Sequence, residues 1–278
     1  MTGKATVAQL TYYPVKGCAG VSVGTAEVTP AGVAHDRSFM VTDGDGVFRS
    51  QRRDPRLVLI RPEVGDGGGR LTLRAPGVEA LELVVDTAAA RREVRLFKDA
   101  YQGIDQGGTV AEWLTQVLGV PSRLVRVPPE HGRVTDGLTP GTSGYADSSA
   151  LHMLSRSSLE LLHARLAEQG AAPLPMDRFR PNVVVDGWDA PHTEDRARRI
   201  AVGDTELGYA KLAVRCAVTT VDQGSGARKG PEPLRTLAGY RRVASGGVVF
   251  GAKFAVLRPG KLSVGDEVAV RSWGEPER

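Results

Sequence analysis

Short runs of alternating apolar and polar residues, each cut off by a turn bearing Gly or Pro, constrain this chain more than any other feature. Alternation over a few residues marks a half-buried strand. Residues 6–16 alternate and reach Tyr12-Tyr13-Pro14-Val15-Lys16-Gly17-Cys18, where Pro and Gly end the first strand. Strands are expected at Ala26–Thr29, Ser38–Val41, Leu57–Ile60, Leu71–Leu73 and Leu81–Val85. Pro30-Ala31-Gly32 and Asp43-Gly44-Asp45-Gly46 supply turns between them. Strands this short and evenly spaced build a barrel or a sandwich.

Residues 109–118 break the pattern. Val110, Trp113, Leu114, Val117 and Leu118 fall at helical spacing, Thr109 and Glu112 form a capping box, and Gly119 stops the helix. Pro128 to Tyr145 is long, polar and rich in Gly, Pro and Thr; it reads as a linker or an active-site loop. The domain boundary falls near it, dividing the chain into 1–125 and 126–278. A second helix carries Leu159, Leu162 and Leu166 on one face, with Ser155 as N-cap and Gly170 at its end. Val183–Val185, Ala201–Gly203, Glu206–Leu212, Phe254–Leu257 and Lys261–Val268 read as strand segments, and Glu232–Tyr240 as a short helix. The expected fold class is mainly β with a few helices (α+β), in two domains.

Composition excludes several functions. Thirty-six basic against 32 acidic residues leave a net charge of +4, without a Lys/Arg-rich run. That is a solvated surface and not a nucleic-acid footprint, though it suits a site for an anionic ligand. Two cysteines among 278 residues make no disulfide framework and cannot hold a four-thiolate iron–sulfur cluster. The N-terminus lacks a signal-peptide core and no apolar run approaches a membrane span, so a cytoplasmic protein with reduced thiols is expected. Cys-x-x-Cys, His-Glu-x-x-His and Gly-x-x-x-x-Gly-Lys are all absent.

Chemistry centres on Ala213–Asp222, Ala-Val-Arg-Cys-Ala-Val-Thr-Thr-Val-Asp. It reads as a strand with Val214, Cys216, Val218 and Thr220 on one face. A lone cysteine in a strand is most often a small buried hydrophobe. Beside Arg215, the same thiol can be drawn toward the thiolate, a nucleophile or soft metal ligand. Lys16, Arg37, Arg180 and Arg215, with the hydroxyls of Ser148 and Ser149, form a set able to grip an anion. Taken singly, Lys16 and Arg37 read as surface charges, Arg180 as a strand-end donor and Asp147 as a turn residue.

Together these segments resemble a known family. Tyr13-Pro14-Val15-Lys16-Gly17-Cys18-Ala19-Gly20, followed by Asp36-Arg37, is similar to the N-terminal β-barrel domain that precedes a MOSC (molybdenum cofactor sulfurase C-terminal) domain. Arg178-Phe179-Arg180-Pro181-Asn182-Val183 and Arg215-Cys216-Ala217-Val218-Thr219-Thr220-Val221-Asp222 resemble the MOSC domain itself. Gly251, Leu257-Arg258-Pro259-Gly260 and Val264-Gly265-Asp266 are similar to its closing segment. The resemblance implies an N-terminal β-barrel domain followed by a MOSC β-barrel domain. Proteins of this architecture include the mitochondrial amidoxime-reducing components and bacterial proteins that detoxify N-hydroxylated bases.

The resemblance also implies site roles. Cys216 becomes the molybdenum ligand of a molybdenum–molybdopterin cofactor, whose dithiolene supplies two further sulfurs. Lys16, Arg37, Ser148, Ser149, Arg180 and Asn182 match positions that hold the pterin and its phosphate, with Arg215 beside the ligand. Asp147 matches an acidic residue near the metal, a proton donor or orienter. Cys18 lies in a matching segment and is given no catalytic role. Gly17 and Val214 stand where the amidoxime reducers carry Ser, and Ser148 where they carry Thr. The implied function is a molybdenum-dependent oxidoreductase, independent of pyridoxal phosphate, that reduces small N-hydroxylated or N-oxide compounds. Its electrons would come from a separate partner, a flavoprotein reductase with a ferredoxin or a cytochrome b5-like protein. The ferredoxin domain fused to some bacterial relatives and the pyridoxal-phosphate domain of the fused sulfurases are both expected to be absent. The alternative is a non-catalytic sulfur or cofactor carrier with a persulfide on Cys216.

Overall fold

The computed structural model describes residues 4–244 and 246–277. The fold is mainly β, with 42% strand against 18% helix. Eight strands form the largest sheet, in the order Val268–Trp273, Ala197–Val202, Thr205–Arg215, Val248–Arg258, Leu151–Ser155, Val183–Asp186, Thr6–Tyr12 and Val21–Ser22. A five-stranded sheet runs Arg91–Leu96, Asp99–Asp105, Arg123–Arg126, Phe39–Thr42 and Val15–Lys16. The expected barrels are not closed; the sheets stay open. Strand spacing reports on length and turns, whereas closure depends on tilt and stagger, which spacing does not encode.

The two halves of the chain share sheets. Thr6–Tyr12 pairs antiparallel with Val183–Asp186, and Thr25–Thr29 with Gly260–Ser263. Residues on either side of Pro14 therefore belong to different sheets, and the segment between them spans the junction. Leu151–Ser155 runs parallel to Val183–Asp186, with helix Arg156–Glu168 in the crossover. That helix buries Leu162 and Leu166 in a cluster with Phe179 and Phe250, whose rings lie 4.6 Å apart. Each buried side chain contributes roughly 1.5–3 kcal/mol, and the cluster anchors the turn that leads into Arg180.

Local signals succeeded where backbone chemistry decided the outcome. Ser155 caps its helix by accepting from the Ser158 N–H, and Gly119 ends the first helix at φ 75°. Others were overridden. Leu57–Ile60 is not a strand: Pro55–Leu59 form a 3-10 turn with Pro at its start, and Leu57 and Ile60 pack in the N-terminal core. A short apolar run does not distinguish strand from buried helical turn. The capping box at Thr109 and Glu112 does not form, because the helix starts at Gly108 after Gly107, without a side-chain cap. Pro128–Tyr145 holds two short paired strands, Val134–Thr135 and Gly141–Thr142. Among the described residues no helix is long and apolar enough to cross a membrane.

Candidate active site

Strand Thr205–Arg215 ends one residue before Cys216, correcting the expectation of a strand through Asp222. Ala217–Thr220 close a 3-10 turn, and the Thr219 and Thr220 hydroxyls donate back to the carbonyls of Cys216 and Ala217 at 3.0 and 2.8 Å. Such local hydroxyl bonds compete with a sheet ladder. Val214 is 57% exposed, so the expected alternation does not bury its face. The break leaves Cys216 half-buried at a strand end, lining a cleft with about 900 Å³ of empty space, open solvent included.

The opposite walls come from far along the chain. Arg37 and Arg180 both sit in left-handed backbone conformations, at φ 48° and 55°. Such strain in non-Gly residues clusters at functional sites and is held by surrounding bonds. Here those bonds run through Asp36, whose carboxylate accepts from the Tyr13 N–H, from Arg37 Nη1 at 2.8 and 2.6 Å, and from Asn182 Nδ2. Asn182 Oδ1 accepts from Arg37 Nη1 and the His152 N–H, and Asn182 Nδ2 also donates to the Thr11 carbonyl. Both guanidiniums lie 4.2 Å from the centre of the Tyr13 ring, a cation–π arrangement. Burial pushes the Tyr13 hydroxyl up to about 12, so the ring stays neutral beneath them. Arg215 Nη2 donates to the Phe179 carbonyl at 2.8 Å, tying the thiol-bearing strand end to the Arg180 turn.

Lys16 and Asp147 form a short ion pair across the cleft. The Asp147 side chain is 58% exposed, yet protein crowds it on several sides. That crowding alone would raise its carboxyl; the ammoniums of Lys16 and Lys253 outweigh it and hold the group well below the usual carboxylate range. Arg133 braces the loop by donating to the carbonyls of Ala146 and Asp147. Eight of the nine sequence-predicted positions line this cleft: Lys16, Arg37, Asp147, Ser149, Arg180, Asn182, Arg215 and Cys216. Ser148 does not; its hydroxyl accepts from Lys253 Nζ at 2.6 Å, and Lys253 lines the cleft in its place. Cys18 lies outside it, fully buried, its thiol pushed up to about 12 by burial.

Sequence reasoning missed Lys253, His152 and Gln51, which also line the cleft. The available signal was a single polar residue inside an apolar strand, at Leu-His-Met-Leu and Gly-Ala-Lys-Phe. His152 fits only because Gly251 faces it. A Cβ there would lie 2.6 Å from His152 Nε2 and 2.7 Å from the Met153 carbonyl, at a φ of +80°. Burial, reinforced by Arg215 and Lys253, keeps the His152 imidazole far below its ordinary pKa and therefore neutral. Among the described residues, five buried polar atoms of cleft-lining side chains have no protein partner: Arg49 Nε, Arg180 Nη2, Arg215 Nε, Ser149 Oγ and His152 Nε2. Each such atom costs about 1–3 kcal/mol unless something bonds to it. The cleft is complementary to an acceptor-rich anion.

Comparison with known proteins identifies the family. Residues 4–121 match the MOSC N-terminal beta barrel domain and residues 140–269 the MOSC domain. The chain is 35% identical to mitochondrial amidoxime reducing component 2 of Rattus norvegicus, over 95% of this chain and 82% of that protein. It is 36% identical to mitochondrial amidoxime-reducing component 1 of Homo sapiens, over the same shares. The molybdenum cofactor sulfurase of Danio rerio is 30% identical over 90% of this chain, but over only 32% of its own length. With both domain matches in order along the sequence and relatives above 30% identity over nearly all of it, the chain belongs to the MOSC family, in the two-domain form that carries the N-terminal beta barrel domain.

Proposed function

We propose that this protein is a molybdenum-cofactor-dependent reductase of N-hydroxylated or N-oxide compounds, with Cys216 as the protein's ligand to molybdenum. One observation carries the proposal. A half-buried thiol opens into a cleft whose walls present unpartnered buried donors and a strong excess of cations over carboxylates. Arg180, Arg215 and Ser149 would hold the terminal phosphate of the pterin, since guanidinium N–H pairs match phosphate oxygens. When bound, the molybdenum centre supplies two-electron oxygen-atom chemistry. Among the described residues no three His, Cys, Asp or Glu side chains gather to hold a metal ion, so the remaining ligands are assigned to the pterin dithiolene.

The protein's own residues orient and hold. Asp36 and Asn182 fix the Arg37 guanidinium, Arg133 fixes the loop that carries Asp147, and Lys16 with Lys253 keeps that carboxylate ionised. The net reaction takes an N–OH group, two electrons and two protons to N–H and water. A separate electron-transfer protein, a flavoprotein with a ferredoxin or cytochrome b5-like protein, is the proposed electron source. The names of the amidoxime-reducing relatives support the reaction class.

Protein made in a host that synthesises the pterin is expected to contain close to one molybdenum per chain and to reduce an amidoxime with reduced viologen as donor. Protein lacking molybdenum, with one added sulfur atom in its intact mass, would instead mark a persulfide carrier. Arg180→Met removes a charge-assisted contact worth about 1.5–3 kcal/mol. Cofactor loss on gel filtration is therefore expected to rise about 10- to 100-fold, read as molybdenum retained per chain.

A further inference from the structure

Two protons are consumed per turnover, and the cleft's titratable groups differ as sources. Asp147 is held ionised and has no proton to give near neutral pH. His152 is held neutral, and Lys16 is tied to Asp147. Arginines do not release protons in proteins.

Lys253 is placed differently. It projects from the middle of strand Val248–Arg258, between the buried residues Ala252 and Phe254, into the wall of the cleft. Among the described residues its ammonium has one hydrogen-bond acceptor, Ser148 Oγ, while an ammonium carries three N–H groups. Asp147, Lys16, Arg37 and Arg215 act on it across the cleft. Its register neighbours are His152 on one side and Lys211 on the other, and Lys211 is paired with Asp136.

We infer that Lys253 is the proton donor of the reduction, passing a proton from Nζ to the substrate's N–O oxygen as the N–O bond breaks. The inference rests on the reductase function proposed above. Two electrons from the electron-transfer partner end on the substrate nitrogen, the Lys253 proton makes the second O–H of water, and a solvent proton completes the N–H. The neutral amine is then reprotonated from solvent, with Ser148 Oγ holding it in place. Burial lowers the Lys253 ammonium; Asp147 opposes this and Arg215, Arg37 and Lys16 reinforce it, leaving it at about 8. A donor with that value is protonated at neutral pH and still able to release its proton.

Lys253→Arg and Lys253→Met separate proton transfer from charge. Both are expected to keep wild-type molybdenum content while turnover falls about 100-fold. The wild-type kcat/KM should fall as pH rises and Lys253 loses its proton, and Lys253→Arg should lack that alkaline limb. Turnover restored by Arg would show that charge alone suffices and would overturn the inference, as would molybdenum loss in folded variants. An independent readout needs neither variant. Competitive acylation of the full wild-type chain made without the pterin, followed by mass spectrometry, should titrate the Lys253 amine at about 8. An ordinary value of about 10.4 overturns the inference. Wild-type protein that holds molybdenum and reduces amidoximes while failing these tests leaves the reductase function standing; wild-type protein that does neither removes both.

Discussion

Cys216→Ala is expected to yield a folded protein with no bound molybdenum and no reductase turnover. The fold should survive because the side chain does little for it. Cys216 is half-buried, makes no side-chain cap bond to the turn that follows, and precedes a turn held by the Thr219 and Thr220 hydroxyls. Its truncation should therefore cost no more than about 1 kcal/mol in urea unfolding. The chemistry should not survive, because the proposed molybdenum site would lose its one protein sulfur. Cys216→Ser tests the same point more finely, since an alkoxide is a harder donor and should retain far less metal than the thiolate. Cys18→Ala is the matched control: that thiol is fully buried, raised to about 12, and outside the cleft. It should lower stability modestly and leave molybdenum content unchanged. Stoichiometric molybdenum and wild-type kcat in Cys216→Ala would defeat the proposed function.

Much of the site was legible in the sequence because its parts are chemically conspicuous. A lone cysteine next to an arginine, and cations at strand ends, remain visible without knowing how the strands pair. What brings Lys16, Arg37, Asp147 and Arg180 to the same cleft as Cys216 is long-range pairing, such as Thr6–Tyr12 on Val183–Asp186, and this is written in no local pattern. Lys253 and His152 were hidden for the opposite reason. Each sits in an otherwise apolar strand, where a polar residue reads as an edge position until the sheet shows that it faces a cleft. The strand through Cys216 was overextended because alternation of β-branched residues outweighed a competing local signal. Two adjacent threonines can bond their own backbone, and here they do. Ser148 illustrates the limit of reading single positions. Its hydroxyl is spent on Lys253, so it reaches the cleft only through a residue one hundred and five positions away.

Asp36→Ala should be the most destabilising single change near the site, at about 3–5 kcal/mol. The Asp36 side chain is 1% exposed and gathers the Tyr13 N–H, both contacts of Arg37 Nη1, and Asn182 Nδ2. Removing it leaves the Arg37 guanidinium, 14% exposed, without its carboxylate and close to the same Tyr13 ring as Arg180. It also orphans the buried Tyr13 N–H and one of the two Asn182 Nδ2 N–H groups, the other still donating to the Thr11 carbonyl. A lost partner costs more than the bond was worth, because the remaining charge stays desolvated. Arg37 should then leave its strained left-handed conformation, φ 48°, and cofactor retention should fall along with stability. Urea unfolding at constant m reads the first effect and molybdenum per chain the second. The double variant Asp36→Ala with Arg37→Met removes the stranded charge as well. It should recover part of the lost stability, but not the cofactor, since a guanidinium proposed to hold the anion is gone. A cost below about 1 kcal/mol in the single variant, or no recovery in the double, would mean that this buried pair does not hold the two halves of the site together.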